Sequence, residues 1–189
     1  VTILPSGNFV VRSFEWNNGA STRAGAITFC NAASGCNGVV SAANSLVGTS
    51  VNDVVGDGSI YVLTNGNFVI RSLSWDNGAV ENTGAITFCN GTGGCNGAVS
   101  SANSLVGTQT SDQIGNNGIT ILNNGNYVVG SGSWNNGAIG DAGAVTWGNG
   151  TSGTVGDVSA SNSLVGTQTN DFVGNGVIAP LTNGNYVVC

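Results

Sequence analysis

The side chains that could do chemistry here are few, and each recurs at a fixed interval. Asp53, Asp112 and Asp171 stand 59 positions apart, each inside Asn/Ser-Asp-x-Val/Ile-Gly. Two such carboxylates could in principle run glycoside hydrolysis. A carboxylate at the same place in every unit reads instead as a turn-former that accepts backbone amides two residues on. Asp57 adds a second acid beside Asp53 in the first unit only, so the weak alternative of a calcium ion attaches to Asp53 and Asp57. No other cofactor or metal is expected. The chain has no His and no Lys, so neither a Ser–His or Cys–His nucleophile pair nor a Schiff base can be assembled. The expectation is a protein that is not an enzyme.

Cysteine is the next reactive type. Cys30 and Cys36 flank one loop, Cys89 and Cys95 flank its copy, and a third copy has Gly148 and Thr154 instead. Cysteines gained or lost as a pair predict local disulfides, 30–36 and 89–95. Free thiols and a metal site are the alternatives, but C-x5-C is not zinc spacing and no His completes a tetrahedral set. Closing so short a loop contributes about 2 kcal/mol or less, enough to pin a loop but not to hold up a fold. The pairing favours an oxidising, extracellular setting. Cys189 takes the slot of Arg12, Arg71 and Gly130; an intermolecular bridge and a mere truncation point are both open.

Trp16, Trp75 and Trp134 precede Asn-Asn-Gly or Asp-Asn-Gly turns. Either they are buried anchors between units, or they form an exposed row for sugar stacking or partner docking. Arg12 and Arg71, set among apolar residues, are expected to meet an acid, with Glu15 near in sequence, or to bridge units. Asn90-Gly-Thr92 and Asn149-Gly-Thr151 are glycosylation sequons on loops.

These residues share one scaffold. The period of 59 gives three units, 1–59, 60–118 and 119–177, and 178–189 opens a fourth as a closing or inter-subunit hairpin. A repeat of this size is one supersecondary unit that needs neighbours to bury its apolar surface. Each unit reads as four strands: 1–4, 9–12, 25–30 and 44–49, with a turn at 5–8 and its Asn-Gly equivalents. No helical periodicity appears, so the fold class is all-β. Consecutive apolar residues in Phe9-Val10-Val11, Phe68-Val69-Ile70 and Tyr127-Val128-Val129 require both faces of the sheet to be covered. Four-stranded, β-propeller-like blades are the leading geometry, with a stacked β-sheet solenoid array or a β-prism as alternatives. Three blades are too few to close a propeller, so head-to-tail self-association through exposed terminal strands is expected.

Composition narrows the partners. Three Arg against nine acids give a net charge of −6. That excludes nucleic acid, whose phosphates need clustered cations, and no apolar run is long enough to insert in a membrane as a helix. There is no Met, and Val1 falls inside a repeat, which suggests a processed product or an excerpt.

The order Leu-Thr-Asn-Gly-Asn-Tyr-Val-Val (181–188), Trp-Asn/Asp-Asn-Gly-Ala, Gly-Ala-Val-Thr-Trp (143–147) and Asn-Ser-Leu-Val-Gly-Thr resembles the repeats of large bacterial secreted surface proteins, the filamentous-haemagglutinin-type adhesins. It is similar, more loosely, to FG-GAP repeats of integrin-type propellers. The first likeness covers the whole chain and implies a secreted structural or adhesive role in a cell-surface filament. The second implies Asp-rich calcium turns, but Ser6-Gly7-Asn8, Asn65-Gly66-Asn67, Asn124-Gly125-Asn126 and Asn183-Gly184-Asn185 carry no carboxylate. A lectin-like, carbohydrate-binding propeller is the functional alternative.

Overall fold

A computed structural model describes all residues, 1–189. Repeat 1 folds as β1 (Thr2–Ile3), β2 (Phe9–Ser13), β3 (Ala26–Cys30) and β4 (Ser45–Val47). Repeat 2 supplies β5 (Ile60–Val62), β6 (Phe68–Ser72), β7 (Ala85–Cys89), β8 (Gly97–Ala98) and β9 (Ser104–Val106). Repeat 3 supplies β10 (Ile119–Ile121), β11 (Tyr127–Ser131), β12 (Ala144–Gly148), β13 (Gly156–Asp157) and β14 (Ser163–Val165). The final residues form the hairpin β15 (Ile178–Pro180) and β16 (Tyr186–Val188). There is no helix.

Each repeat is an antiparallel meander with the same register, for example Phe9↔Cys30 and Phe68↔Cys89. The first hairpin closes by Gly66 N–H to Leu63 O at 2.9 Å and Leu63 N–H to Asn67 O at 2.8 Å. Gly66 takes φ +86°, the left-handed third residue of a three-residue hairpin loop. Asn65 keeps a negative φ, so the Asn-Gly pair is not the two-residue turn that its letters suggest.

Side chains alternate between the two faces, and the repeats stack face to face. Val10, Ile27 and Leu46 of repeat 1 pack with Phe68, Ile70, Trp75, Ala85, Cys89 and Val106 of repeat 2. Val69, Ile86 and Leu105 of repeat 2 pack in the same way with Tyr127, Val129, Trp134 and Ala144 of repeat 3. The terminal hairpin covers Val128 and Val145 through Ile178, Tyr186 and Val188. The core of this protein therefore lies between repeats.

Two short strands stitch neighbours edge to edge. β8 runs parallel to β4 (Leu46↔Gly97) and β13 parallel to β9 (Leu105↔Gly156). Neither was expected from the sequence. The sheets do not close into a ring or a barrel: of the architectures the sequence allows, the chain takes the open stack of small sheets.

Candidate functional site

The recurring residues converge on the junctions between repeats. At the first junction Asp53, fully buried, accepts Thr49 N–H at 2.7 Å and Ser50 N–H at 2.8 Å on Oδ2. Its Oδ1 crosses to the next repeat and accepts Asp76 N–H at 3.0 Å. Asp112 repeats the pattern with Thr108 and Gln109, then takes both the N–H and the Nδ2–H of Asn135 in repeat 3. Asp171 caps Thr167 and Gln168 and has no partner beyond them. Burial raises the carboxyls of Asp53 and Asp112 above the ordinary Asp value, outweighing the N–H donors that favour the anion. Each Asp thus shapes a turn within its repeat, and Asp53 and Asp112 also tie that turn to the repeat that follows.

Asp57 accepts Leu73 N–H at 2.8 Å, and Ser74 N–H and Oγ–H at 3.1 and 2.6 Å. Every oxygen of Asp53 and Asp57 therefore already faces a donor hydrogen. No group of three or more carboxylate, Cys or His side chains gathers anywhere.

Trp75 and Trp134 are 3% and 4% exposed, wedged against the preceding repeat, while Trp16 is half-buried. They do not line up as an exposed aromatic row. Arg12 and Arg71 meet no acid. Arg12 donates to Gly58 O at 2.6 Å with Phe14 5.7 Å from its guanidinium. Arg71 donates to Gly115 O at 3.1 Å with Tyr61 at 6.0 Å. Glu15 lies instead 3.9 Å from Arg23, both exposed. The carbonyl at the end of each repeat outcompetes a distant carboxylate because it is fixed in reach of the second strand.

Disulfides join Cys30 to Cys36 and Cys89 to Cys95, and Cys189 is free and exposed. The loop closed by Cys89 and Cys95 does inter-repeat work. Gly91 O accepts Ser6 Oγ–H at 3.1 Å and Asn8 Nδ2–H at 3.3 Å. Gly94 presses on Phe29 so closely that an added Cβ would lie 2.4 Å from the Phe29 Cβ. Repeat 3 does the same without cysteines. Gly150 O accepts Asn65 and Asn67 Nδ2–H at 2.6 and 2.8 Å, and Gly153 covers Phe88. Where Cys30 and Cys89 stood, Gly148 leaves space for the Tyr127 ring, whose atoms approach to 2.1 Å of a notional Cβ there. Burial pushes the Tyr127 hydroxyl up to about 12.

The corresponding seat of repeat 3 is the one that the loop of a further repeat would fill. Trp147, in the place of Phe29 and Phe88, is 41% exposed. It borders a cleft of about 490 Å³ with Asn124, Asn126, Leu181, Asn185 and Tyr186, none of them charged.

One family model, described as a repeat of unknown function (DUF5650), matches residues 3–57, 62–116 and 121–175. No curated protein and no solved structure matches the chain.

Proposed function

Because the chain belongs to the DUF5650 repeat family, we propose that it serves as a non-enzymatic, extracellular structural and adhesive array. It would form part of a surface filament or adhesin and associate head to tail. The observation that carries this reading is that each junction joins two unlike sheet faces, a contact that one more repeat, of this chain or of another copy, extends. One end of the stack offers Phe9, Val11, Trp16 and Val40 half-buried. These are the positions at which repeats 2 and 3 bury Phe68, Ile70, Trp75 and Val99 or their counterparts. The other end offers Leu164 at 59% exposure, where Leu46 and Leu105 are buried. Unlike, complementary faces make a heterologous contact that propagates rather than closes, and repetition multiplies weak contacts into avidity. The two disulfide loops support an oxidising compartment, and no helix is long and apolar enough to cross a membrane.

Light scattering across a concentration series tests the association. The mass of the wild-type chain should climb with concentration, and Leu164→Asp, a change at an exposed position, should hold it at one chain. A wild-type chain that stays monomeric at the highest soluble concentration refutes the head-to-tail reading.

A further inference from the structure

We propose that Asn90 and Asn149 are acceptor sites for N-linked glycosylation, and that the loop conformation around them presents the carboxamide nitrogen to the transferase. Asn-x-Ser/Thr occurs at these two positions and nowhere else in the chain. Both fall on the loop that follows the third strand, Asn90 between the bonded Cys89 and Cys95, and Asn149 in the loop without cysteines. Asn90 is exposed and Asn149 half-exposed.

The two side chains are held alike. Asn90 Oδ1 accepts Thr92 N–H at 2.8 Å, Thr92 Oγ1–H at 2.6 Å and Gly93 N–H at 3.1 Å. Asn149 Oδ1 accepts Thr151 N–H at 2.8 Å, Thr151 Oγ1–H at 2.7 Å and Ser152 N–H at 3.2 Å. Three donors fix the oxygen, so the rotamer is set and Nδ2 is left outside the network, making no hydrogen bond of its own. The hydroxyl two residues on is therefore part of the presenting geometry. Repeat 1 is a natural control. Asn31 Oδ1 accepts Ala33 N–H at 2.9 Å and Ser34 N–H at 3.3 Å, the same turn, but Ala33 offers no hydroxyl.

The substrate class is an activated glycosyl diphosphate. Nδ2 forms a bond to the sugar C1, the bond from C1 to the diphosphate oxygen breaks with its electron pair leaving on the diphosphate, and Nδ2 loses one proton to the enzyme or to water. A lipid-linked oligosaccharide and a nucleotide sugar share this chemistry. A chain with only twelve charged residues, three basic and nine acidic, and with uncovered apolar sheet faces would gain solubility from neutral glycans set at one place per repeat. This assignment stands whether or not the array associates.

The test is to produce the full chain in two settings. One is a secretory compartment with lipid-linked donor, the other a cytosol containing an N-glycosyltransferase that uses nucleotide sugars. Intact mass and peptide mapping then read the sites. Modification of Asn90 and Asn149 in either setting, with Asn31 unmodified, is the expected result; whole oligosaccharides identify the lipid-linked source and single sugars the nucleotide source. Thr92→Ala should remove the Asn90 glycan alone, and Ala33→Thr should create a third site at Asn31. Unmodified Asn90 and Asn149 in both settings overturn the proposal. So does an Ala33→Thr chain that stays bare at Asn31 while carrying the other two.

Discussion

Asp112 receives four N–H donors from two repeats while fully buried, so it is the side chain on which the second junction most directly depends. An Asn there offers one acceptor oxygen where the carboxylate offers two. At least one part-buried N–H set then loses its partner, at a cost near the low end of the about 1–3 kcal/mol of an unsatisfied buried donor. For a chain of this length a loss of 1 kcal/mol lowers the melting midpoint by about 2–4 °C. Asp112→Asn should therefore melt several degrees below wild type at neutral pH, by circular dichroism or calorimetry. The pH dependence has a definite sign. Burial raises the folded pKa of Asp53 and Asp112 above the ordinary 3.8, so in the interval above 3.8 the folded chain binds more protons than the unfolded one. The stability these two carboxyls contribute is present below that value and is lost as pH rises through their folded pKa. The wild-type midpoint should fall on their account as pH rises above 3.8 through their folded pKa, and Asp112→Asn should flatten the slope. A wild-type midpoint that rises over that interval, with a slope that Asp112→Asn reduces, would show that the N–H donors outweigh burial.

The disulfide loop shows how one element can be built in two chemistries. In repeats 1 and 2 the bond closes it, yet Gly153 N–H still reaches Asn149 O at 2.8 Å in repeat 3, as Gly94 reaches Asn90 at 2.7 Å. There Thr154 Oγ1–H bonds Trp147 O at 3.2 Å in place of the sulfur bridge. Replacing Cys89 by Ala and Cys95 by Thr should thus leave the loop seated on Phe29 at a cost of about 2 kcal/mol or less. Hydrogen exchange at the Gly94 amide reads this directly: protection close to wild type is expected, and its loss would make the bond, not the backbone turn, the source of the loop's shape. The same comparison explains what was legible in the sequence. The strands expected at 9–12, 25–30 and 44–49 form at Phe9–Ser13, Ala26–Cys30 and Ser45–Val47, because pairing within a repeat is written in local alternation and turn residues. The two-residue strands Gly97–Ala98 and Gly156–Asp157 carry no such pattern, since their partners sit in another repeat. The cross-repeat half of the Asp network was hidden for the same reason: Asp53 meets an amide of Asp76, and a backbone N–H has no letter. The Trp147 cleft was likewise invisible, because only the packing of its counterparts Phe29 and Phe88 reveals a seat.

At the scale of the whole molecule, the decisive fact is that neither large apolar cluster belongs to one repeat. The first joins Leu4, Val10, Ile27, Leu46 and Val55 to Phe68, Ile70, Trp75 and their neighbours; the second joins Leu63, Val69, Ile86, Leu105 and Ile114 to Tyr127, Val129 and Trp134. Repeat 2 is half of both. Cut out alone as residues 60–118, it would expose both faces of its sheet to water, and a chain of about 60 residues has little surface to spare for stability. Hydrogen bonds do not rescue it. Gly56 N–H bonds Ser72 Oγ and Gly115 N–H bonds Ser131 Oγ, each at 3.0 Å and each across a junction, as are the bonds to the two buried Asp. Stability in such a stack is a sum of weak units and strong nearest-neighbour interfaces. Residues 60–118 should therefore lack dispersed NMR amide signals and a cooperative melt. Residues 1–118, which restore the first interface, should recover the blue-shifted fluorescence of a buried Trp75. The full chain should melt at the highest temperature of the three. If 60–118 alone melts cooperatively with Trp75 already buried, the repeat carries its own core, and the end faces cease to be incomplete interfaces that call for a neighbour.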